Sequence, residues 1–269
     1  MKKLTLKNWL LLILLLCGLL CFAVGCSNEN SDTTEETNTA DGALDGQSLF
    51  IYCGAGMTDP AEELVALFEE QTGADVEITF GNAAQLISQI TTSGTGDLFI
   101  AGDQGDLEKI EEEYVTDVKP LVKHIPVIAV QEGNPKNITG LKDFANEGVK
   151  VVLGDNESTP IGKLSDKALE KAGVLDKINI VARSATAPEI ANVLSLGECD
   201  ATILWKENTN VDGIEIVDSP DMEAFIKTIP AATLKCSTNT DALQAFLEFL
   251  DTSEAKAIWE NNGYELVEE

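Results

Sequence analysis

Two short stretches combine a strand end, a run of small residues and a helix start. The first is Leu49-Phe50-Ile51-Tyr52-Cys53 followed by Gly54-Ala55-Gly56-Met57-Thr58-Asp59-Pro60. The second is Val76-Glu77-Ile78-Thr79-Phe80 followed by Gly81-Asn82-Ala83-Ala84-Gln85. The first backbone N–H groups of a helix have no acceptor within it, and the helix dipole adds partial positive charge there. Small residues in front leave that backbone accessible. The chemistry on offer is the holding of an anion by neutral donors, with no charged side chain required.

Other chemistries find little footing. Gly54-Ala55-Gly56 lacks the third glycine of a dinucleotide fingerprint, and no GxxxxGK[ST] loop occurs. There is no G-x-S-x-G and no HExxH. The one histidine, His124, enters the apolar run Ile125 to Val130 and reads as structural. The one arginine, Arg183, rules out a site built on several guanidinium clamps. The chain is therefore expected to be no enzyme and to need no cofactor. Cys53, Cys199 and Cys236 show neither CxxC nor metal-ligand spacing. They read as buried free thiols, with a Cys53–Cys236 disulfide as the alternative, and no protein-ligated cation is expected.

The elements that would position the two stretches follow from periodicity. Apolar strands fall near 48–53, 76–80, 97–101, 125–130, 149–153, 178–182 and 200–205, with short strands at 214–217 and 229–234. Leu64, Leu67 and Phe68 follow helical spacing, as do Leu86, Ile87 and Ile90, then Leu164, Ala168 and Leu169. Two further helices are expected near 240–250 and 253–261. This alternation predicts an α/β architecture with largely parallel sheets. Helix starts are marked at Asp59-Pro60, Asn82-Ala83-Ala84-Gln85, Thr159-Pro160 and Thr186-Ala187-Pro188-Glu189, and stops at Gly73, Gly173 and Gly197. Asp59 reads as a cap turned away from any bound anion.

The first 25 residues form a leader. Lys2, Lys3 and Lys7 precede an apolar run from Leu10 to Ala23, and Ala23-Val24-Gly25-Cys26 follows. This arrangement resembles the lipobox of bacterial lipoproteins, which would make Cys26 the lipidated first residue of the mature chain. Residues 26–46 lack apolar content and read as a disordered tether with a reach of roughly 25 Å. The formal net charge of −28 disfavours nucleic acid and anionic membrane surfaces as partners. It does not exclude a small anion, because N–H groups in contact with a ligand are not screened as distant charges are.

From about Leu49 to Tyr264 the chain resembles the molybdate-binding proteins of bacterial and archaeal ABC importers. The resemblance rests on Gly54 to Thr58, on Asp97-Leu98-Phe99-Ile100-Ala101-Gly102-Asp103-Gln104, on Val152-Leu153-Gly154-Asp155, on Thr159-Pro160-Ile161-Gly162 and on Asp200 to Trp205. It implies a two-lobed type II periplasmic-binding fold with the ligand between the lobes. Lobe I would take 47–123 plus 230–269, and lobe II 124–229. Carried over by position, the ligand-binding residues are Ala55, Gly56, Met57, Asn82, Ala83, Ala84, Thr159, Ile161, Thr186, Ala187 and Trp205. Asp155 would be a direct ligand only for an expanded metal centre. In better-known members the positions of Gly56 and Ala83 are serines, and that of Trp205 is often tyrosine. Asn82, Gln85, Thr58, Ser158, Thr159 or Thr186 could replace the missing hydroxyls. The implied function is capture of molybdate or tungstate and delivery to a membrane permease. The protein would be an extracytoplasmic, lipid-anchored monomer. A receptor for sulfate or a small organic acid, or a tethered sensor domain, is the competing reading.

Overall fold

A computed structural model describes residues 43–267 apart from residue 109. The expected leader, Cys26 and most of the expected tether lie outside the described residues. The chain opens with β1 (Ser48–Gly54), α1 (Thr58–Thr72), β2 (Asp75–Gly81), α2 (Ala83–Ser93) and β3 (Leu98–Ile100). Two single-turn helices, α3 (Gln104–Leu107) and α4 (Glu111–Tyr114), lead into β4 (Val115–His124). Then come β5 (Pro126–Gln131), β6 (Lys150–Gly154), α5 (Pro160–Ala172), β7 (Asn179–Ser184), α6 (Ala187–Ser195), β8 (Ala201–Trp205) and β9 (Ile214–Val217). The chain closes with β10 (Lys227–Leu234), α7 (Thr240–Phe249), α8 (Ser253–Asn261) and β11 (Glu265–Leu266).

These strands form two sheets, ordered β11-β4-β10-β3-β1-β2 and β7-β6-β8-β5-β9. Each has its own core. In the first, Leu49 and Ile51 pack with Leu64 and Phe68 of α1, and Phe68 meets Phe246 of α7 edge-on at 5.0 Å. In the second, Val151 and Leu153 pack with Leu164, Ala168 and Leu169 of α5 and with Ile190 and Leu194 of α6.

The sheets are mixed rather than largely parallel. β1 pairs in parallel with β2 and β3, and β6 with β7 and β8. The strands that carry the chain between the sheets impose the other direction: β10 runs antiparallel to β3 and β4, and β5 antiparallel to β8 and β9. β4 itself carries no apolar run and holds a proline, so periodicity does not reveal it. Pro120 sits directly opposite Pro230 beside a bulge, where neither residue has an N–H to give the ladder.

Residues 43–46, expected as the end of the tether, form a turn on the first core. The Leu44 N–H donates to the Thr72 carbonyl at 2.9 Å, and the Leu44 side chain packs against the core. Cys53, Cys199 and Cys236 are free thiols. Burial pushes the Cys199 thiol up to about 11, so it stays protonated at ordinary pH.

The acidic residues of the 97–104 stretch hold the fold together. Asp97, 2% exposed, accepts from the Phe50 N–H at 2.8 Å, from Ser237 Oγ at 2.6 Å and from Asn239 Nδ2 at 3.2 Å. Asp103 caps α3 through the Gly105 N–H at 2.7 Å and pairs with Lys227 at the start of β10. Both therefore tie β1 and β3 to the segment that returns from the second sheet.

Candidate functional site

Parallel register brings the predicted loops together in pairs. Gly54 at the end of β1 is the Cα partner of Gly81 at the end of β2, so the two small-residue loops leave the first sheet side by side. Gly154 of β6 partners Ser184 of β7, and the Asp155 N–H donates to the Ser184 carbonyl at 2.9 Å. Two candidate half-sites thus lie at the carboxyl ends of parallel strands, where open α/β sheets place their ligands.

In the first half-site, a single 3-10 turn, Ala55–Met57, leads into α1. The start of α1 has no side-chain cap. Its N-cap is Met57 and not Asp59, which lies inside the first turn, so the expected role of Asp59 as a cap is not realised. The Thr58 hydroxyl points backward and donates to the Ala55 carbonyl at 2.9 Å. The Met57 side chain is buried in the first core, leaving only its backbone for a ligand. Ala55 and Gly56 are exposed. In the second loop the capping box forms: Asn82 Oδ1 accepts from the Gln85 N–H at 3.0 Å, and Gln85 Oε1 accepts from the Asn82 N–H at 3.3 Å. Those two amides are spent, so Ala83 and Ala84 carry the free N–H groups of the first turn.

The second half-site follows the same logic. Thr159 Oγ1 accepts from the Gly162 N–H at 3.0 Å and donates to the Asp155 carbonyl at 2.7 Å. Pro160 has no N–H, which leaves that of Ile161, whose side chain is buried. A Cβ on Gly162 would lie 2.3 Å from the Asp155 carbonyl oxygen, so only glycine lets the loop close on the helix. At α6, Thr186 Oγ1 accepts from the Glu189 N–H at 3.3 Å, and the Ala185 N–H is taken by Glu189 Oε2 at 3.1 Å. Pro188 again lacks an N–H, and Ala187 keeps its own.

Several side-chain candidates are consumed by the loops themselves. Asp155 Oδ1 accepts from the Glu157 N–H, the Ser158 N–H and Ser158 Oγ at 3.1, 2.8 and 2.6 Å. The Ser158 hydroxyl and amide bonds are the largest causes that hold the Asp155 carboxyl below its usual range. Its carboxylate thus serves its own turn. Arg183 donates to the Gly154 carbonyl at 2.8 Å and to Asp166 at 2.7 and 3.0 Å, bracing the loop from behind. Of the hydroxyls and amides that could replace the two missing serines, Thr58, Ser158 and Thr159 have given their protons away. Thr186 Oγ1, Asn82 Nδ2 and Gln85 Nε2 donate to nothing among the described residues.

Trp205 ends β8, 7% exposed, and stacks on His124 at 3.6 Å with 23° between the rings. Its indole N–H has no protein acceptor among the described residues and is not sealed from solvent. His124 Nε2 lies 2.9 Å from Glu207 Oε1. The Tyr264 ring lies 6.4 Å from that of His124, centroid to centroid, and its hydroxyl donates to the Gly56 carbonyl at 3.1 Å. A continuous set of contacts therefore joins the first loop to the strand end that carries Trp205. Tyr264 and Glu207 escaped sequence reasoning, because each acts on a residue far away in the chain. Two hollows of about 260 and 300 Å³ lie elsewhere, one beside β9 and one beside β11, and none of the candidate residues lines either. Among the described residues no group of three or more His, Cys, Asp and Glu side chains could hold a metal ion. No described helix is long and apolar enough to cross a membrane.

Comparison with known proteins bears on the family and the fold. Residues 49–265 match the family of bacterial extracellular solute-binding proteins. A protein of Haemophilus influenzae described only as a binding protein is 28% identical over 186 residues, covering 66% of this chain and 75% of its own. The molybdate-binding protein ModA of Rhodobacter capsulatus is 26% identical over 217 residues, covering 78% and 85%. Among solved structures, a substrate-binding domain assigned to a molybdenum ABC transporter of Clostridium difficile superposes with a TM-score of 0.69 at 26% identity, covering 82% of this chain and 99% of that one. The sulfate-binding protein SubI of Mycobacterium tuberculosis shares the fold with a TM-score of 0.65 at 19% identity, covering 82% and 88%. The architecture is the two-lobed type II periplasmic-binding fold, one lobe around each sheet.

Proposed function

The chain belongs to the bacterial extracellular solute-binding protein family, and on that premise we propose that it captures a tetrahedral oxyanion, molybdate or tungstate, and delivers it to an ABC permease. One observation carries the reading. At the loops ahead of α2, α5 and α6 the caps consume neighbouring amides and leave the backbone donors of Ala83, Ala84, Ile161 and Ala187, while the uncapped first loop offers those of Ala55 and Gly56. The single Arg183 is engaged behind the second half-site, so neutral dipoles remain to meet the ligand. Such a set suits a fully deprotonated dianion, in which every oxygen accepts and none needs a partner. Trp205 adds an indole donor. The molybdenum-related relatives at 26% identity support the choice of anion.

Binding would draw the lobes together, and the closed form is what a permease distinguishes from the open one. No bond is made or broken. In this reading the protein works as a monomer outside the cytoplasm, held to the membrane by a lipid on Cys26. Radiolabelled palmitate should mark the wild-type chain and not Cys26→Ala, and equal labelling of both would remove the anchor from the proposal.

A second reading, a receptor for sulfate or another anion, is favoured by one feature: Gly56 and Ala83 supply no hydroxyl. Titration calorimetry and thermal melts with molybdate, tungstate, sulfate, phosphate and chromate separate the two. Ligand at a hundred times its dissociation constant should add about 2.7 kcal/mol of stability. A response to molybdate and tungstate above all supports the proposal. A response to sulfate alone selects the second reading, and silence from all five ends the proposal and the sulfate form of the second reading.

A further inference from the structure

The turn Gly263–Glu265 touches the first half-site and, at the same time, the segment that follows Trp205. Tyr264, 5% exposed, donates its hydroxyl to the Gly56 carbonyl in the first. Gly263 meets the second lobe at Glu207: a Cβ there would lie 2.9 Å from Glu207 Cα, and its φ of +86° is left-handed backbone that glycine adopts freely. Glu265 pairs with Lys206, the residue after Trp205, and approaches Lys123 at 3.9 Å. Glu207 in turn holds His124 against the Trp205 ring. The turn is itself anchored by the Tyr264 N–H on the Trp259 carbonyl at 3.1 Å and by β11 on β4.

We propose that this turn is a clasp that positions the first half-site and Trp205 against each other, with Tyr264 fixing the Gly56–Met57 peptide and Gly263 and Glu265 fixing the Lys206–Glu207 segment behind Trp205. The inference rests on the oxyanion reading for its ligand but not for its geometry. Burial, with Glu207, Cys53 and Asp59 nearby, pushes the Tyr264 phenol far above its ordinary range, so it remains a hydrogen-bond donor at any working pH. A donor on the Gly56 carbonyl orients the Gly56–Met57 peptide and polarises the Met57 N–H that shares it. Because Glu207 packs on the same turn, movement of the segment behind Trp205 is felt at the first loop.

The test uses the full chain in detergent, with Tyr264→Phe and Gly263→Ala. Amide hydrogen exchange of the unliganded protein is followed in peptides covering 54–58, 82–86 and 205–209. Loss of one hydrogen bond should raise exchange at 54–58 by about 5-fold in Tyr264→Phe, with 82–86 unchanged. Gly263→Ala should raise exchange at 54–58 and 205–209 together. Affinity for molybdate should fall by about 5-fold in Tyr264→Phe, at temperatures well below its melt. Exchange that is unchanged at 54–58, or raised evenly along the chain, overturns the clasp, and so does a local rise with unaltered molybdate affinity. Should wild type bind none of the oxyanions, the functional proposal falls alone, and the exchange pattern by itself decides the clasp. Should Gly263→Ala fail to fold, Tyr264→Phe alone still upholds or overturns it.

Discussion

Gly56 leaves room where a hydroxyl would go. No atom beyond its chain neighbours lies within 4 Å of a Cβ built there, and its φ is not in the left-handed region. Gly56→Ser should therefore fold as well as wild type and add one neutral donor to the first half-site. A hydrogen bond of about 1 kcal/mol corresponds to roughly 5-fold tighter molybdate binding, read by calorimetry. An unchanged affinity would place Gly56 outside the ligand's reach. Trp205→Phe separates the two duties of that residue: an aromatic face for His124 remains while the indole donor goes. Molybdate affinity should fall about 5-fold with only a small change in melting temperature, whereas a large drop in melting alone would make Trp205 a packing residue. The small residues of both loops were legible in the sequence because smallness is a property of type. The state of each hydroxyl was not. Thr58, Thr159 and Thr186 look alike at helix starts, and only loop conformation decides which gives its proton to a carbonyl. Tyr264 and Gly56 stand 208 positions apart, beyond any local pattern.

Elements with their own punctuation could be read directly, and others could not. The capping box at Asn82 and Gln85 and the glycine stops at Gly73 and Gly173 are local, so sequence and structure agree on them. β4 gains its strand character from β10 and β11 on either side, which no stretch of its own residues announces. Asn82→Ala tests the box. Loss of the cap should cost about 1 kcal/mol, seen as a lower melting temperature, and no change would mean that the Gln85 amide finds another acceptor without loss. The loop ahead of α5 offers a pH test. The folded Asp155 carboxyl lies below its usual 3.8. Its stabilising effect is therefore complete above about pH 4 and is lost as pH falls through the lower folded value. The Ser158 amide resonance should titrate below pH 3.8, and a midpoint at or above that value would remove Asp155 as the anchor of the turn.

The whole molecule carries a formal charge of −28, and in the proposed function it would bind a dianion. Repulsion at a distance should slow the encounter, while contact donors hold the ligand once it arrives. Raising salt should then speed association and leave dissociation nearly unchanged, so that affinity rises slightly, as stopped-flow measurements would show. An affinity that falls with salt would reveal a cationic contact that the paired Arg183 does not supply. The strand order of the first sheet has a consequence for how the chain folds. β10 lies between β4 and β3, yet the entire second sheet precedes it in sequence. The second lobe is one continuous segment and can condense on local contacts alone. The first must wait with an open seam until its inner strand emerges from far downstream, which makes its pairing the late, slow step. Until β10 is in place, β3 and β4 each keep an unpaired edge, so the larger sheet stays incomplete until nearly the whole chain is available.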